Sequence, residues 1–118
     1  MKKIIFCLLA CMFIMFTSCE DDYADYYYEV TGTATHVDIT MSNLFGGTIQ
    51  HNNIETPWTS QTFRNDSPTN SIHAYISAQN RHNTDTTVTV KIYRNGAVVK
   101  NTTSSGGFCI ATASYTNK

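Results

Sequence analysis

Hydrophobic and polar side chains alternate along most of the chain beyond residue 25, and clusters of Gly, Asn, Ser or Pro interrupt the alternation at short intervals. The clearest run spans residues 87–94, where Val88, Val90 and Ile92 fall on one side of the chain. Alternation with a period of two is typical of a half-buried β-strand. The abundance of Thr, Val, Ile and Tyr also favours strands, because these side chains suit a pleated, half-buried surface.

The same pattern predicts eight strands and no helix. The predicted strands cover residues 26–33, 36–42, 48–52, 58–63, 71–79, 87–94, 97–103 and 108–115. Pro57 interrupts the alternation, and residues 64–70 and 80–85 are polar loops. Short strands with turns roughly every 8–12 residues indicate an all-β fold, an antiparallel immunoglobulin-like β-sandwich of seven or eight strands.

Three residues in this pattern are assigned structural roles. Asn95 and Gly96 separate two apolar runs, and this pair is typical of a type I′ hairpin turn because both central residues must take φ > 0. Trp58 is the single tryptophan of the chain. We expect its ring to anchor the core between the two sheets rather than to stack on a ligand.

The first eighteen residues have the anatomy of a secretory signal. Two lysines precede an apolar stretch over residues 4–16, which is shorter than the roughly 20 residues that a spanning helix needs. The run Phe16-Thr17-Ser18-Cys19 resembles the lipobox of bacterial lipoproteins, in which the cysteine sulfur is acylated and the cysteine becomes the mature N-terminus. We therefore predict a signal peptide over residues 1–18 and lipidation at Cys19, the alternative being plain secretion or an uncleaved anchor.

Residues 19–25 are predicted to be an acidic tether, and the β-sandwich domain spans residues 26–118. Four acids in a short segment with little aliphatic bulk keep the tether in solvent. Acids directly after a lipidated cysteine resemble a pattern of surface lipoproteins of the Bacteroidota. This resemblance implies an outer-membrane lipoprotein exposed on the cell surface, and the alternative is a spacer that faces the periplasm.

Composition limits the partners that the mature chain can take. Without the leader, six Lys and Arg residues stand against nine Asp and Glu residues, which gives a net charge of −3. No basic patch is available to neutralise phosphates, so we expect no nucleic-acid partner. Cys109 is the one cysteine of the folded part, and we expect it to be a small buried hydrophobic residue without a disulfide.

The sequence contains no motif of catalysis or metal binding. His36, His51, His73 and His82 are scattered, without the ligand spacing of zinc sites. The few carboxylates of the folded part do not indicate an acid–base pair, and neither a phosphate loop nor a nucleophile elbow is present. We expect no enzyme activity, no cofactor and no metal.

Four tyrosines at the start of the domain, Tyr23, Tyr26, Tyr27 and Tyr28, form the candidate binding surface. Neighbouring residues on a strand point to opposite faces, so at least one of the last three must face away from its neighbours. Exposed tyrosines provide rigid amphipathic area for contact with a protein or a sugar. The alternative is a first strand that covers an edge of the sheet.

Several segments, taken in order, resemble the MmpS family of small envelope proteins. These segments are Tyr28-Glu29-Val30-Thr31-Gly32, Val37-Asp38-Ile39-Thr40-Met41, Pro57-Trp58, Ala78-Gln79-Asn80, Asn95-Gly96-Ala97-Val98-Val99 and Ser104-Ser105-Gly106. The resemblance implies a β-sandwich that assists large resistance-nodulation-division transporters in exporting lipids or siderophores.

The leading hypothesis is a non-catalytic envelope lipoprotein, bound to the membrane through its N-terminal lipid. It would act as a transport-accessory or assembly partner of a membrane transporter or another envelope protein. The alternative is a surface-displayed binding module for a glycan or a host protein.

Overall fold

The computed structural model describes residues 24–66 and 71–117, and the leader, Cys19 and Tyr23 lie outside these residues. The described chain forms strands β1 (Ala24–Thr31), β2 (His36–Ser42), β3 (Thr48–Glu55), β4 (Trp58–Thr59), β5 (Phe63–Asn65), β6 (Ile72–Asn80), β7 (Thr87–Arg94), β8 (Ala97–Ser105) and β9 (Ile110–Asn117). Within these two ranges, no helix is long and apolar enough to cross a membrane.

The strands form two antiparallel sheets that pack face to face. One sheet has the order β4–β1–β7–β8, with β5 also pairing with β1, and the other has the order β3–β2–β6–β9. Burial alternates strictly along β1 and β6, as in β1, where Tyr26, Tyr28 and Val30 face inward. The all-β, antiparallel sandwich predicted from the alternation is confirmed.

The core lies between the inner faces of the two sheets. Its largest fully buried side chains include Tyr26 and Tyr28, followed by a set of aliphatic residues that contains Ile39, Met41, Leu44, Ile72, Ile76 and Ile92. Cys109 is buried at the margin of this core, as predicted, and its thiol is free.

Trp58 occupies a different place from the one that the sequence predicted. It pairs in register with Val30 and therefore faces inward, but β4 is at the edge of its sheet and the ring is only half-buried. The ring lies 5.6 Å from the imidazole of His51, on the edge strand of the opposite sheet. Trp58 thus packs against the core from the edge of its sheet, whereas Tyr26 and Tyr28 are the fully buried aromatic side chains of the core.

Several strand boundaries differ from the predicted ones. β1 begins at Ala24, so Ala24 and Asp25 belong to the sandwich and not to the tether. The single strand predicted over residues 58–63 is two short strands, β4 and β5. The second continues to Asn65 because Asn65 and Arg64 pair with the first two residues of β1. This pairing was invisible in the sequence because residues 64 and 65 have the polar composition of a loop.

The course of the chain gives the sandwich two ends. The N-terminal end contains the start of β1, the turn at residues 43–47, the hairpin at residues 95–96 and the last residues of β9, held together by contacts such as the hydrogen bond from the Asn95 N–H to the Asp25 carbonyl (2.8 Å). The distal end contains residues 32–35, 81–86 and 106–109, which are joined by hydrogen bonds such as that from the Ala34 N–H to the Thr87 carbonyl (3.0 Å).

Candidate functional site

The fold separates the tyrosines of the predicted binding surface. Tyr26 and Tyr28 are fully buried, Tyr27 lies on the outer face of the sheet, and Tyr23 is outside the described residues. The prediction that neighbouring tyrosines face opposite sides is therefore confirmed. The prediction that Tyr26 and Tyr28 belong to a binding surface is wrong, because the strict alternation of β1 places both rings in the core.

The phenol of Tyr28 is part of a buried polar network between the sheets. Its hydroxyl donates to the Ser42 carbonyl (2.9 Å), lies 3.1 Å from the Ser42 Oγ and accepts from the Tyr75 N–H (3.2 Å). The Ser42 Oγ donates to the His73 carbonyl (2.7 Å). Burial raises the pKa of Tyr28 above its ordinary value, although the hydrogen bonds with Ser42 and Tyr75 oppose the shift. These contacts make Tyr28 a structural residue.

On the outer face of the same sheet, Tyr27 stacks on Tyr93 of β7. The ring centroids are 4.4 Å apart and the planes differ by 8°. The Tyr93 hydroxyl donates to Glu29 (3.0 Å), whose carboxylate also lies 3.8 Å from the Lys91 ammonium. Partial desolvation raises the pKa of Tyr93, and the hydrogen bond to Glu29 raises it further. Because each ring covers one face of the other, the pair first of all stabilises the pairing of β1 with β7.

The distal end exposes two large apolar side chains, Phe108 and Ile110, which are 51% and 53% exposed. Together with Gln79 and His82 they form what we call the distal patch. The Gln79 side-chain amide donates to the Phe108 carbonyl (3.3 Å), and the Phe108 N–H donates to the His82 carbonyl (3.0 Å). Phe108 has φ of 54°, which is uncommon for a bulky residue and persists only where the surroundings hold it.

Asn80 holds the two loops behind the distal patch. Its side chain is fully buried, and its amide donates to the Thr86 Oγ1 (2.9 Å) and the Thr84 carbonyl (3.3 Å). Its side-chain oxygen accepts from the His82 N–H (3.1 Å), and its backbone N–H donates to the Cys109 carbonyl (2.9 Å). The buried side chain of Asn80 therefore holds the loops that carry Phe108 in one conformation, and a rearrangement of these loops would leave buried polar groups without hydrogen bonds.

Charged and imidazole groups lie beside the distal patch, and they pair with one another. His36 is 3.8 Å from the Glu55 carboxylate, and Arg81 donates to Asp38 at 2.8 Å. Partial burial opposes the ionisation of Asp38, but hydrogen bonds from the Asn53 N–H and from Arg81 outweigh it and lower the pKa of Asp38. Among residues 24–66 and 71–117, no group of three His, Cys, Asp or Glu residues could hold a metal ion.

The N-terminal end carries the other exposed apolar side chains, Phe45 and Val98, which are 56% and 44% exposed. Phe45 borders an open depression of about 580 Å³, whose lining includes Leu44 and Ile72. Asp25, at the start of β1, accepts from Arg64 at 2.8 Å, and this hydrogen bond lowers the pKa of Asp25.

The exposure of the apolar side chains at both ends was not predicted from the sequence. Phe108 and Ile110 were placed in a predicted closing strand without an assigned face. Their exposure could have been inferred, since small residues at positions 109, 111 and 113 alternate with them and fit the core. Nothing in the sequence indicates that Phe45 lies outside, because Leu44 beside it is equally apolar.

Comparisons with known proteins leave the family of the chain open. No family model matches it, and no curated protein matches it. A crystal structure of a human SPRY domain is similar at 10% sequence identity, covering 83% of this chain and 71% of that chain, with a TM-score of 0.20. A similarity at this TM-score supports neither a shared fold nor a shared function.

Proposed function

We propose that this protein is a non-catalytic envelope lipoprotein that is anchored through Cys19 and contacts a partner protein through its distal patch. The observation that carries the proposal is the position of Phe108 and Ile110, which are exposed at the end of the sandwich opposite to the start of β1.

The tether is short relative to the sandwich. Five residue steps separate Cys19 from Ala24, and an extended chain covers at most about 3.6 Å per residue, so β1 begins within roughly 18 Å of the Cα of Cys19. The eight residues of β1 then extend by about 3.3 Å each, which carries the distal end roughly 26 Å further along the strand. An anchor at Cys19 would thus keep the N-terminal end close to the membrane and leave the distal patch accessible to a partner.

The chemistry of the distal patch favours a protein partner. Its centre consists of an aromatic and an aliphatic side chain, and protein interfaces place such residues at the core of the contact with polar groups around it. The left-handed backbone of Phe108 and the buried Asn80 fix the patch before binding, which lowers the entropy that association costs.

The more specific role of a transport accessory rests on the resemblance to the MmpS family. Contact with a partner through the distal patch does not depend on that resemblance. A transporter subunit is therefore one candidate partner among envelope proteins, and a transporter gene beside this gene would favour it.

The anchor is tested by changing Cys19→Ala in the full chain. The variant should leave the membrane fraction and lose labelling by a fatty-acid analogue, whereas Cys109→Ala, which removes a buried thiol of the domain, should retain both properties. A Cys19→Ala protein that stays in the membrane fraction would refute lipidation at this residue.

The contact is tested by changing Phe108→Asn, because Asn tolerates the left-handed backbone and removes the ring. Val98→Asn, at the other end of the sandwich, is the matched control. The full-length protein is cross-linked in intact cells, and the captured protein is purified and titrated against each variant. The proposal is supported if Phe108→Asn weakens binding at least tenfold and Val98→Asn does not. If both variants bind as the wild type does, the partner does not bind through the distal patch.

A second candidate is a glycan-binding surface around Tyr27 and Tyr93, because Glu29 and Lys91 place a carboxylate and an ammonium beside the stacked rings. A glycan array with the wild type and with Tyr27→Ala tests it. Glycan binding that is lost in Tyr27→Ala but kept in Phe108→Asn would favour this function over the protein contact.

A further inference from the structure

The turn at residues 43–47 directs one aromatic ring away from the core. Leu44 has φ of 82° and is buried, and this left-handed backbone sends the next side chain, Phe45, outward. An exposed phenylalanine beside a strained backbone is a costly arrangement for a turn that serves only to connect two strands. The feature therefore points to a contact that the isolated domain does not make.

The turn is braced, so the exposure of Phe45 is a fixed property of the fold. The Asn43 side-chain oxygen accepts from the N–H groups of Phe45 (3.0 Å) and Gly47 (2.9 Å), and the Asn43 N–H donates to the Gly47 carbonyl (3.0 Å). Leu44 also bridges to His73 of β6. These contacts hold the backbone of residues 43–47 in place, so the Phe45 side chain leaves the turn on its outer side.

Phe45 lies at the N-terminal end, where the chain outside the described residues leads to Cys19. Only residues 20–23 stand between Cys19 and the start of β1. A lipid on Cys19 would keep the start of β1 within roughly 18 Å of the membrane surface, so this end of the sandwich is the one that faces the bilayer. Val98, another exposed apolar side chain of this end, lies beside the hairpin at residues 95–96, in the other sheet.

We infer that Phe45 inserts into the headgroup region of the lipid bilayer, so that the sandwich rests on the membrane through its N-terminal end. The inference rests on the proposed lipidation of Cys19. The occupant is a lipid surface, because a lipid anchor on so short a tether brings that surface to the turn. Phenylalanine is among the apolar side chains that insert at the boundary between the headgroups and the acyl chains when a protein lies on a membrane.

The test uses a single tryptophan as a depth probe. Trp58→Phe removes the native tryptophan, and Phe45→Trp or Phe108→Trp then introduces one at the N-terminal or distal end; the two sites have similar exposure in the domain. Each lipidated mature protein, which begins at Cys19, is reconstituted into vesicles of phosphatidylethanolamine and phosphatidylglycerol that contain lipids with a quencher in the headgroup region. Thermal unfolding of both variants is compared with that of Trp58→Phe to establish that they fold.

We expect quenching of the Phe45→Trp emission at least twofold stronger than that of Phe108→Trp, with a shift of the maximum to shorter wavelength. Equal quenching at the two sites, with both proteins floating with the vesicles, would overturn the insertion of Phe45 and leave the lipid anchor intact. Protein that does not float and carries no lipid would overturn the anchor and this inference together.

Discussion

The phenol of Tyr28 in one sheet donates a hydrogen bond of 2.9 Å to the carbonyl of Ser42 in the other. Ser42 and the N–H of Tyr75 complete this network. Among the described residues, no buried polar side-chain atom lacks a hydrogen-bond partner. A hydrogen bond between sheets fixes how the two layers are aligned, which apolar contacts alone do less specifically. The network thus defines the relative position of β1 and β2.

Tyr28→Phe should destabilise the domain by about 1–2 kcal/mol, because the buried groups that faced the hydroxyl lose a partner. The neighbouring Tyr27→Phe is the control, since Tyr27 lies on the outer face and its change should stay within about 0.5 kcal/mol. Urea unfolding of the two variants measures both values. Equal stability of Tyr28→Phe and the wild type would mean that the network contributes nothing.

The same residue gives the fold a defined response to high pH. Burial raises the pKa of Tyr28 in the folded state above the ordinary 10.0, so the unfolded chain loses this proton first. Its contribution to stability is full below pH 10.0 and is lost as the pH rises from there through the folded pKa. We expect the free energy of unfolding to fall over this window, and to fall less steeply in Tyr28→Phe; Tyr93 contributes in the same direction in both proteins.

The sequence was sufficient for the fold class and for most strands. The bounds of β2 and β7 are the predicted ones, because strict alternation ended at clear turn residues. The prediction was weaker where pairing with a distant strand, and not local composition, made the strand. β5 is the example, since Arg64 and Asn65 are polar and become extended only by pairing with Asp25 and Ala24.

The candidate site was harder to predict because exposure depends on which face of a strand is turned inward. In the tyrosine run, the alternation showed that the faces differ, but it did not show which face was the core side. The loops that carry Phe108 depend on Asn80, which is hidden in a polar segment that looks like an ordinary loop. A single buried amide leaves no periodic signal in a sequence.

Trp58→Ala should cost about 1–3 kcal/mol, the range for removing one large apolar side chain that is partly in solvent. Tyr26→Ala, which removes a fully buried ring, should cost about 3–5 kcal/mol. Chemical unfolding of the two variants shows which substitution lowers the free energy of unfolding more. If Trp58→Ala proves the more damaging of the two, the ring is central to the core in solution and not at its edge.

Gly32→Ala should be among the most damaging small changes in the chain, at about 2–4 kcal/mol. Gly32 has φ of 125°, and a Cβ there would lie 2.3 Å from the carbonyl oxygen of Thr87, a backbone atom that cannot turn away. Gly46→Ala is the matched control, since it shares a positive φ (92°) but has open space around the position. It should cost only the backbone term of about 1–2 kcal/mol. Equal thermal stability of the two variants would contradict the close approach of residue 32 to β7.

The hairpin between β7 and β8 allows backbone strain to be separated from a side-chain contact. Asn95 and Gly96 both have positive φ, 51° and 82°, as the type I′ turn requires. Gly96→Val should cost about 1–3 kcal/mol through strain alone, because no atom lies within 4 Å of the position of a Cβ there.

The turn geometry by itself would make Asn95→Gly neutral. The structure adds a contact, since the Asn95 side-chain oxygen accepts from the Asp25 N–H (2.8 Å) and ties the hairpin to the start of β1. We therefore expect Asn95→Gly to cost about 0.5–1 kcal/mol, with faster hydrogen exchange at the amide of Asp25. Under native conditions, the exchange rate of the Asp25 amide should stay closer to the wild-type value in Gly96→Val than in Asn95→Gly. Native stability in Gly96→Val, together with a loss in Asn95→Gly, would mean that the turn is of another type and that the register of β7 with β8 is incorrect.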